Sequence, residues 1–168
     1  MAKTYEPIAT TTLSSAASSV TFSSISGSYT DLVVIISALG NVGSPTDYGI
    51  SLQINGDASG GYSDTWLYGN GTSAVSSRRT NQSSIVDIQA AGYLSTTSPN
   101  PCVVNFLNYS NTTTYKTSLS RSNSQNYVSS YVGLWRSTSA ISTVTLTAPV
   151  GANWSSTTTA TLYGIKAA

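Results

Sequence analysis

Hydrophobic and polar positions alternate with a period of two along much of the chain. Ile50, Leu52 and Ile54 take one side while Ser51, Gln53 and Asn55 take the other, which predicts a half-buried β-strand over Tyr48 to Asn55. Val20 and Phe22 share a face of Ser19 to Ile25, and Ile141 to Thr147 sets Ile, Val and Leu against Ser and Thr. Tyr29 to Leu39 is instead a continuous β-branched run, the pattern of a strand covered on both faces, and it reads as the antiparallel neighbour of the Tyr48 to Asn55 strand. Further strands are predicted at Ser83 to Gln89, Cys102 to Tyr109, Tyr115 to Arg121, Tyr127 to Trp135 and Thr157 to Ile165. Ser76 to Ser84 reads as a polar segment. Ser-, Thr-, Gly- and Pro-rich turns separate the strands, and no segment combines helix caps with a 3.6-residue period. Roughly nine or ten short strands with uneven connections predict an all-β fold, an antiparallel β-sandwich of jelly-roll or other Greek-key type.

Residues 19–168 read as a single sandwich domain, and residues 1–18 as an extended N-terminal arm. Pro7 disfavours regular pairing, while Ile8 and Leu13 are apolar anchors spaced by Thr and Ser. The arm is expected to reach away from its own sandwich and lie on a neighbouring subunit or on the surface beneath, as exchanged arms lock copies together.

The chain concentrates its rings after one turn. Asn55-Gly56-Asp57 ends a strand with residues that tolerate positive φ. Tyr62, Trp66 and Tyr68 follow, interleaved with Ser63, Asp64 and Asn70. Tyr and Trp give large contact area at small entropic cost, so a candidate recognition surface comprises Asn55, Asp57, Tyr62, Asp64, Trp66, Tyr68 and Asn70. For Trp66 a recognition role and a packing role both stand, whereas Trp135 and Trp154 read as cover for sandwich edges. Gly69-Asn70-Gly71 has the composition of a hairpin turn.

Composition removes several functional classes. Charged residues are 8% of the chain and the net charge is +1, with Arg78-Arg79 as the one basic pair, which argues against nucleic-acid binding. No apolar run is long enough for a membrane span, and the N-terminus lacks the apolar core of a secretory signal. There is no His, one Cys, one Glu (Glu6) and five Asp (Asp31, Asp47, Asp57, Asp64, Asp87), so acid-base and nucleophilic catalysis is poorly provisioned and no enzyme activity or cofactor is expected. A glycosidase pair of Asp57 and Asp64, or a Ca²⁺ site from Asn55, Asp57 and Asp64, is outweighed by the ordinary role of such residues in turns. Cys102, beside Val103 and Val104, reads as a buried thiol. Low charge with abundant Ser and Thr keeps a surface wet without self-repulsion, a composition suited to assembly. Tyr5, Ile8, Leu13, Arg78 and Arg79 are candidate assembly contacts.

Several stretches carry a family likeness. YEPIATTTLSSAASSVTFSSISGSYTDL, QINGD, LYGNG, NFLNYSNTTTYKTSLSR, GLWRSTSAISTVTLT and the closing TATLYGIK together resemble small virion structural proteins of tailed bacteriophages, notably those of marine and cyanobacterial hosts. The resemblance implies a capsid decoration protein or a tail, baseplate or fibre appendage, made in the host cytoplasm and residing in the virion. Its implied partners are other virion proteins and itself, for which a homotrimer fits. It carries no active-site residue. The alternative is a carbohydrate- or host-receptor-binding module of a tail fibre, with the Tyr62, Trp66 and Tyr68 rings stacking on a surface glycan.

Overall fold

The structure is a computed structural model that describes residues 4–41, 49–89, 94–124 and 126–166. Asp47, the start of the expected Tyr48 strand and most of the 41–46 loop lie outside the described residues.

Eleven strands and no helix make up the described regular structure: β1 Tyr5–Thr12, β2 Ser19–Phe22, β3 Asp31–Ala38, β4 Ser51–Ile54, β5 Tyr62–Gly69, β6 Ala74–Gln82, β7 Asn100–Phe106, β8 Lys116–Asn123, β9 Val128–Trp135, β10 Val144–Thr147 and β11 Thr159–Ile165. They form an antiparallel sandwich of an eight-stranded sheet, ordered β1-β11-β3-β7-β8-β9-β5-β6, and a three-stranded sheet, ordered β2-β10-β4. Neighbours in space are mostly distant in sequence, as in Greek-key sandwiches.

Side chains in register across the large sheet form rows on each face. One inward row runs Leu162, Val34, Val104, Ser120, Tyr131, Trp66, Ser77, and the next runs Gly164, Leu32, Phe106, Ser118, Gly133, Asp64, Arg79. Toward β11, β3 and β7 these rows are aliphatic and join Val20, Phe22, Leu52, Ile54, Val144 and Leu146 of the small sheet in one core. Toward β8, β9, β5 and β6 they become hydroxyl, aromatic and charged. The segment after β6 covers that half. Ile85 exchanges two backbone hydrogen bonds with Leu52, each 2.9 Å, and its side chain lies so close to Gly133 that a Cβ there would meet it at 2.4 Å. Gly133 is therefore required for the segment to seat, where any side chain would displace it.

Three sequence expectations are corrected. Residues 5–12 do not reach away; they pair with β11 as the edge strand of their own sheet, and Ile8 and Leu13 pack on their own core. An edge accepts Pro7 because the missing N–H faces no ladder partner, and the register shift between Pro7 and Ala9 absorbs the irregularity. β3 and β4 are not neighbours: they lie in different sheets, and β3 sits between β11 and β7. The Ser83 to Gln89 segment forms a single bridge, Leu52 to Ile85, rather than a strand. The 62–69 stretch, conversely, is strand β5, and the 76–84 stretch overlaps its partner β6.

Candidate functional site

β5 places every other side chain on the inward face, so Tyr62, Asp64, Trp66 and Tyr68 line up along one strand. Tyr62 is fully buried. Its hydroxyl donates to the Ile54 carbonyl and accepts from the Ile54 N–H, both at 3.0 Å, tying the two sheets together, while its ring lies 6.2 Å from Trp135 at 16°. Burial pushes its phenol up to about 12.

Asp64 is also sealed in. Arg79 reaches it at 3.5 Å and reaches Asp87 at 2.7 Å, so one guanidinium spans two buried carboxylates that come from β5 and from the segment covering it. Asp87 further accepts the Gly49 N–H at 2.5 Å, and Asp64 the Val86 N–H at 3.3 Å. Burial raises both carboxyls above their ordinary range, and Arg79 opposes that rise. The cluster is a clasp between sheet and cover, since each charge faces a partner and none faces solvent freely.

Trp66 is half-buried on the same face, with the Arg79 guanidinium 4.2 Å from its ring and Tyr131 stacked 6.1 Å away at 20°. Tyr68 meets Tyr127 edge to face at 5.6 Å. The remaining members serve turns. Asn55 adopts φ 52° and Gly56 φ 66°, the expected reversal, and the Asn55 side chain holds the 140–143 segment by accepting from the Ser142 and Thr143 N–H groups and donating to the Ala140 carbonyl. Asp57 accepts the Ser59 N–H at 2.8 Å and the Trp135 indole N–H at 2.6 Å. Asn70 accepts the Thr72 and Ser73 N–H groups within the β5–β6 hairpin.

The seven residues therefore do not form one exposed surface. Tyr62 and Asp64 belong to the interior, Asn55 and Asp57 are turn braces, and only Trp66, Tyr68 and Asn70 approach solvent as a group. Asn70 opens onto a cleft of about 740 Å³ between the β5–β6 and β8–β9 hairpins, lined in part by Asn70, Asn123, Asn126 and Tyr127, and Tyr68 reaches it only through its contact with the Tyr127 ring. Among the described residues no three His, Cys, Asp or Glu side chains gather as a metal site requires.

The opposite face of the large sheet carries a feature that sequence reasoning missed. In β8 the inward residues are Lys116, Ser118 and Ser120, whereas Leu119 points outward. β9 and β5 repeat the inversion with Val132 and Leu67. Leu119 and Val132 are register partners, Ile35 and Leu67 lie in the adjacent outward row, and all four are 41–55% exposed. Arg121 and Arg78 are the cations of these rows, which hold no carboxylate. The signal was present in the Lys116 to Arg121 alternation, which puts Leu119 on the side opposite Ser118 and Ser120. Of the candidate assembly contacts, Tyr5 and Arg78 are exposed, Ile8 and Leu13 lie on the core, and Arg79 points inward.

No protein-family model matches the chain, and no curated protein matches it in sequence. Among solved structures, an exo-inulinase from Aspergillus awamori aligns at TM-score 0.45 and 12% identity over 96% of this chain, which spans 29% of that enzyme's chain. A toad ovary galectin in complex with thio-digalactose aligns at TM-score 0.37 and 12% identity over 86% of this chain and 98% of its own.

Proposed function

We propose that this chain is a structural subunit of a tailed-bacteriophage particle, in a decoration or appendage role, that binds other virion proteins and copies of itself through the outward face of the large sheet. The observation that carries this reading is the inverted patterning of β8, β9 and β5. Three adjacent strands keep small hydroxyls, rings or charged clasps inside and present Leu119, Val132 and Leu67 outside. A solvated sheet face would normally show the reverse. Low overall charge keeps repulsion between copies weak, and the phage assignment itself draws on the sequence resemblance. The double variant Leu119→Glu, Val132→Glu tests it: light scattering and particle co-purification are expected to show loss of self-association and of particle incorporation with the fold retained. Normal incorporation of the folded variant refutes the reading.

Glycan binding by a fibre module is a second reading, favoured by the cleft at the hairpin ends. Its Asn side chains and the Tyr127 ring, which Tyr68 buttresses from outside the cleft, are the polar and aromatic groups a neutral sugar requires. Tyr127→Ala with retained stability is expected to abolish binding on a glycan array; an array on which wild type binds nothing disposes of this reading.

A further inference from the structure

The large sheet ends in two edges of different kinds. β1 is blunted: Pro7 offers no N–H, the register shifts between Pro7 and Ala9, and Lys166 clasps Glu6 at 3.1 Å where the strand begins. β6 has a register shift only at its far end, where Arg79 to Gln82 takes three steps against two of β5 and Asn81 adopts φ 55°; Ala74 to Arg79 pairs with β5 without interruption. Its nine residues, AVSSRRTNQ, contain no Pro, Gly, Lys or carboxylate, and residues 74–78 are all exposed. β6 pairs with β5 alone, and no other described residue forms a backbone hydrogen bond with it. At about 3.4 Å per residue the uninterrupted stretch Ala74 to Arg79 presents roughly 20 Å of open ladder. β2, at an edge of the small sheet, has four residues and is protected by its shortness.

We infer that β6 is an acceptor edge onto which an extended segment of another protein adds as a strand, carrying a carboxylate on its outward side against Arg78. Among the described residues the ion pairs are Arg79 with Asp64 and Asp87, and Lys166 with Glu6, which leaves Arg78 outside every one of them. Arg78 lies in the outward row with Thr65, Val132 and Leu119, where no acid faces it. Main-chain pairing supplies the affinity of such a complex, and the alternating side chains supply its selectivity. A second copy of β6 suits the edge less well, because pairing centred on Arg78 sets like charges opposite each other. The inference stands on the edge alone and goes beyond the role proposed for the outward face.

The probe is a nine-residue peptide of alternating Thr and Val with one central Glu, together with a Gln counterpart and a version N-methylated at alternate amides. Amide exchange on the full chain is expected to slow at the outward-pointing N–H groups of residues 74–79 with the first two peptides and not with the third. The Glu peptide is expected to bind about twofold to fivefold tighter than the Gln peptide, a preference that Arg78→Gln removes. Neighbouring N–H groups point to opposite sides of a strand, so one of Ser76→Pro and Ser77→Pro leaves the β5 ladder intact while blocking the open edge, and that variant is expected to fold and lose peptide binding. Unchanged exchange with every peptide, equal binding of the N-methylated peptide, or a Glu preference that survives Arg78→Gln overturns the inference. Slowing that appears without peptide as protein concentration rises assigns the edge to a second copy and overturns it as well.

Discussion

The indole N–H of Trp135, at the end of β9, donates to the Asp57 carboxylate at 2.6 Å and so pins the turn that carries the chain from the small sheet to the large one. The Ser59 hydroxyl, the Trp135 N–H and the Ser59 backbone N–H hold the Asp57 carboxyl below its ordinary value of 3.8. A carboxyl with a folded value below its unfolded one contributes stability above the unfolded value and loses it as pH falls through the folded one. Asp57→Asn is therefore expected to cost about 1 to 2 kcal/mol at neutral pH, by weakening the bond to a buried indole donor. The difference from wild type should narrow as pH drops below 3.8, which urea unfolding across an acid series measures.

Tyr62 and Ile54 form a second link between the sheets. Tyr62→Phe keeps the ring on Trp135 but strips the Ile54 N–H of its acceptor. Leaving that buried donor unpaired is expected to cost about 1 to 3 kcal/mol in chemical denaturation, and a shift in midpoint without a change in slope is the expected signature.

Trp66 is held by Arg79 on one side and Tyr131 on the other. Trp66→Ala is expected to lower the unfolding free energy by about 2 kcal/mol or more, because it removes a half-buried ring and exposes the Arg79, Asp64 and Asp87 cluster to water. Unchanged thermal stability would instead mark Trp66 as a surface ring and return it to the candidate recognition group.

Cys102 is buried beside the Ile88 carbonyl, to which its thiol donates at 3.2 Å, and burial pushes the thiol up to about 12. Under native conditions at pH 8 a thiol reagent is expected to react only as fast as the protein opens, so the labelling rate should track global unfolding through a urea series. Fast labelling in the absence of denaturant would contradict the burial.

The strands that alternation reveals most directly in the sequence are those of the small sheet, whose inner face packs on the large one. Val20 and Phe22, Leu52 and Ile54, and Val144 and Leu146 each bury both members of the pair, so period-two hydrophobicity is a direct image of burial. β1, β5 and β6 escape that logic. β1 and β6 are edges, and β6 buries no aliphatic side chain, so the Ser76 to Ser84 stretch that overlaps it reads only as a polar segment. β5 does alternate, through Tyr62, Asp64, Trp66 and Tyr68, but its inward residues mix rings with an acid, a pattern that resembles a recognition surface until Arg79 and Asp87 are seen to neutralise it. Those partners come from residues 79 and 87, and sequence spacing alone gives no reason to join them to Asp64.

β8 supplies the sharpest test, because its patterning is opposite to what hydropathy alone dictates. Ser118 is buried against Gly133 and Ile85, and a Cβ built on Gly133 would already meet its hydroxyl at 2.6 Å. Leu119, the next residue, is half exposed beside Val132. Ser118→Leu should therefore destabilise the fold by about 1 to 3 kcal/mol although it adds an apolar group to the interior, since the space under Ile85 is filled. Leu119→Ser should change the stability of the isolated chain by less than about 0.5 kcal/mol, since little of that side chain is withdrawn from water. Equilibrium unfolding at low protein concentration measures both. The opposite ranking would mean that β8 pairs in a register shifted by one residue, which would turn Leu119 into the core and remove the apolar outward face altogether.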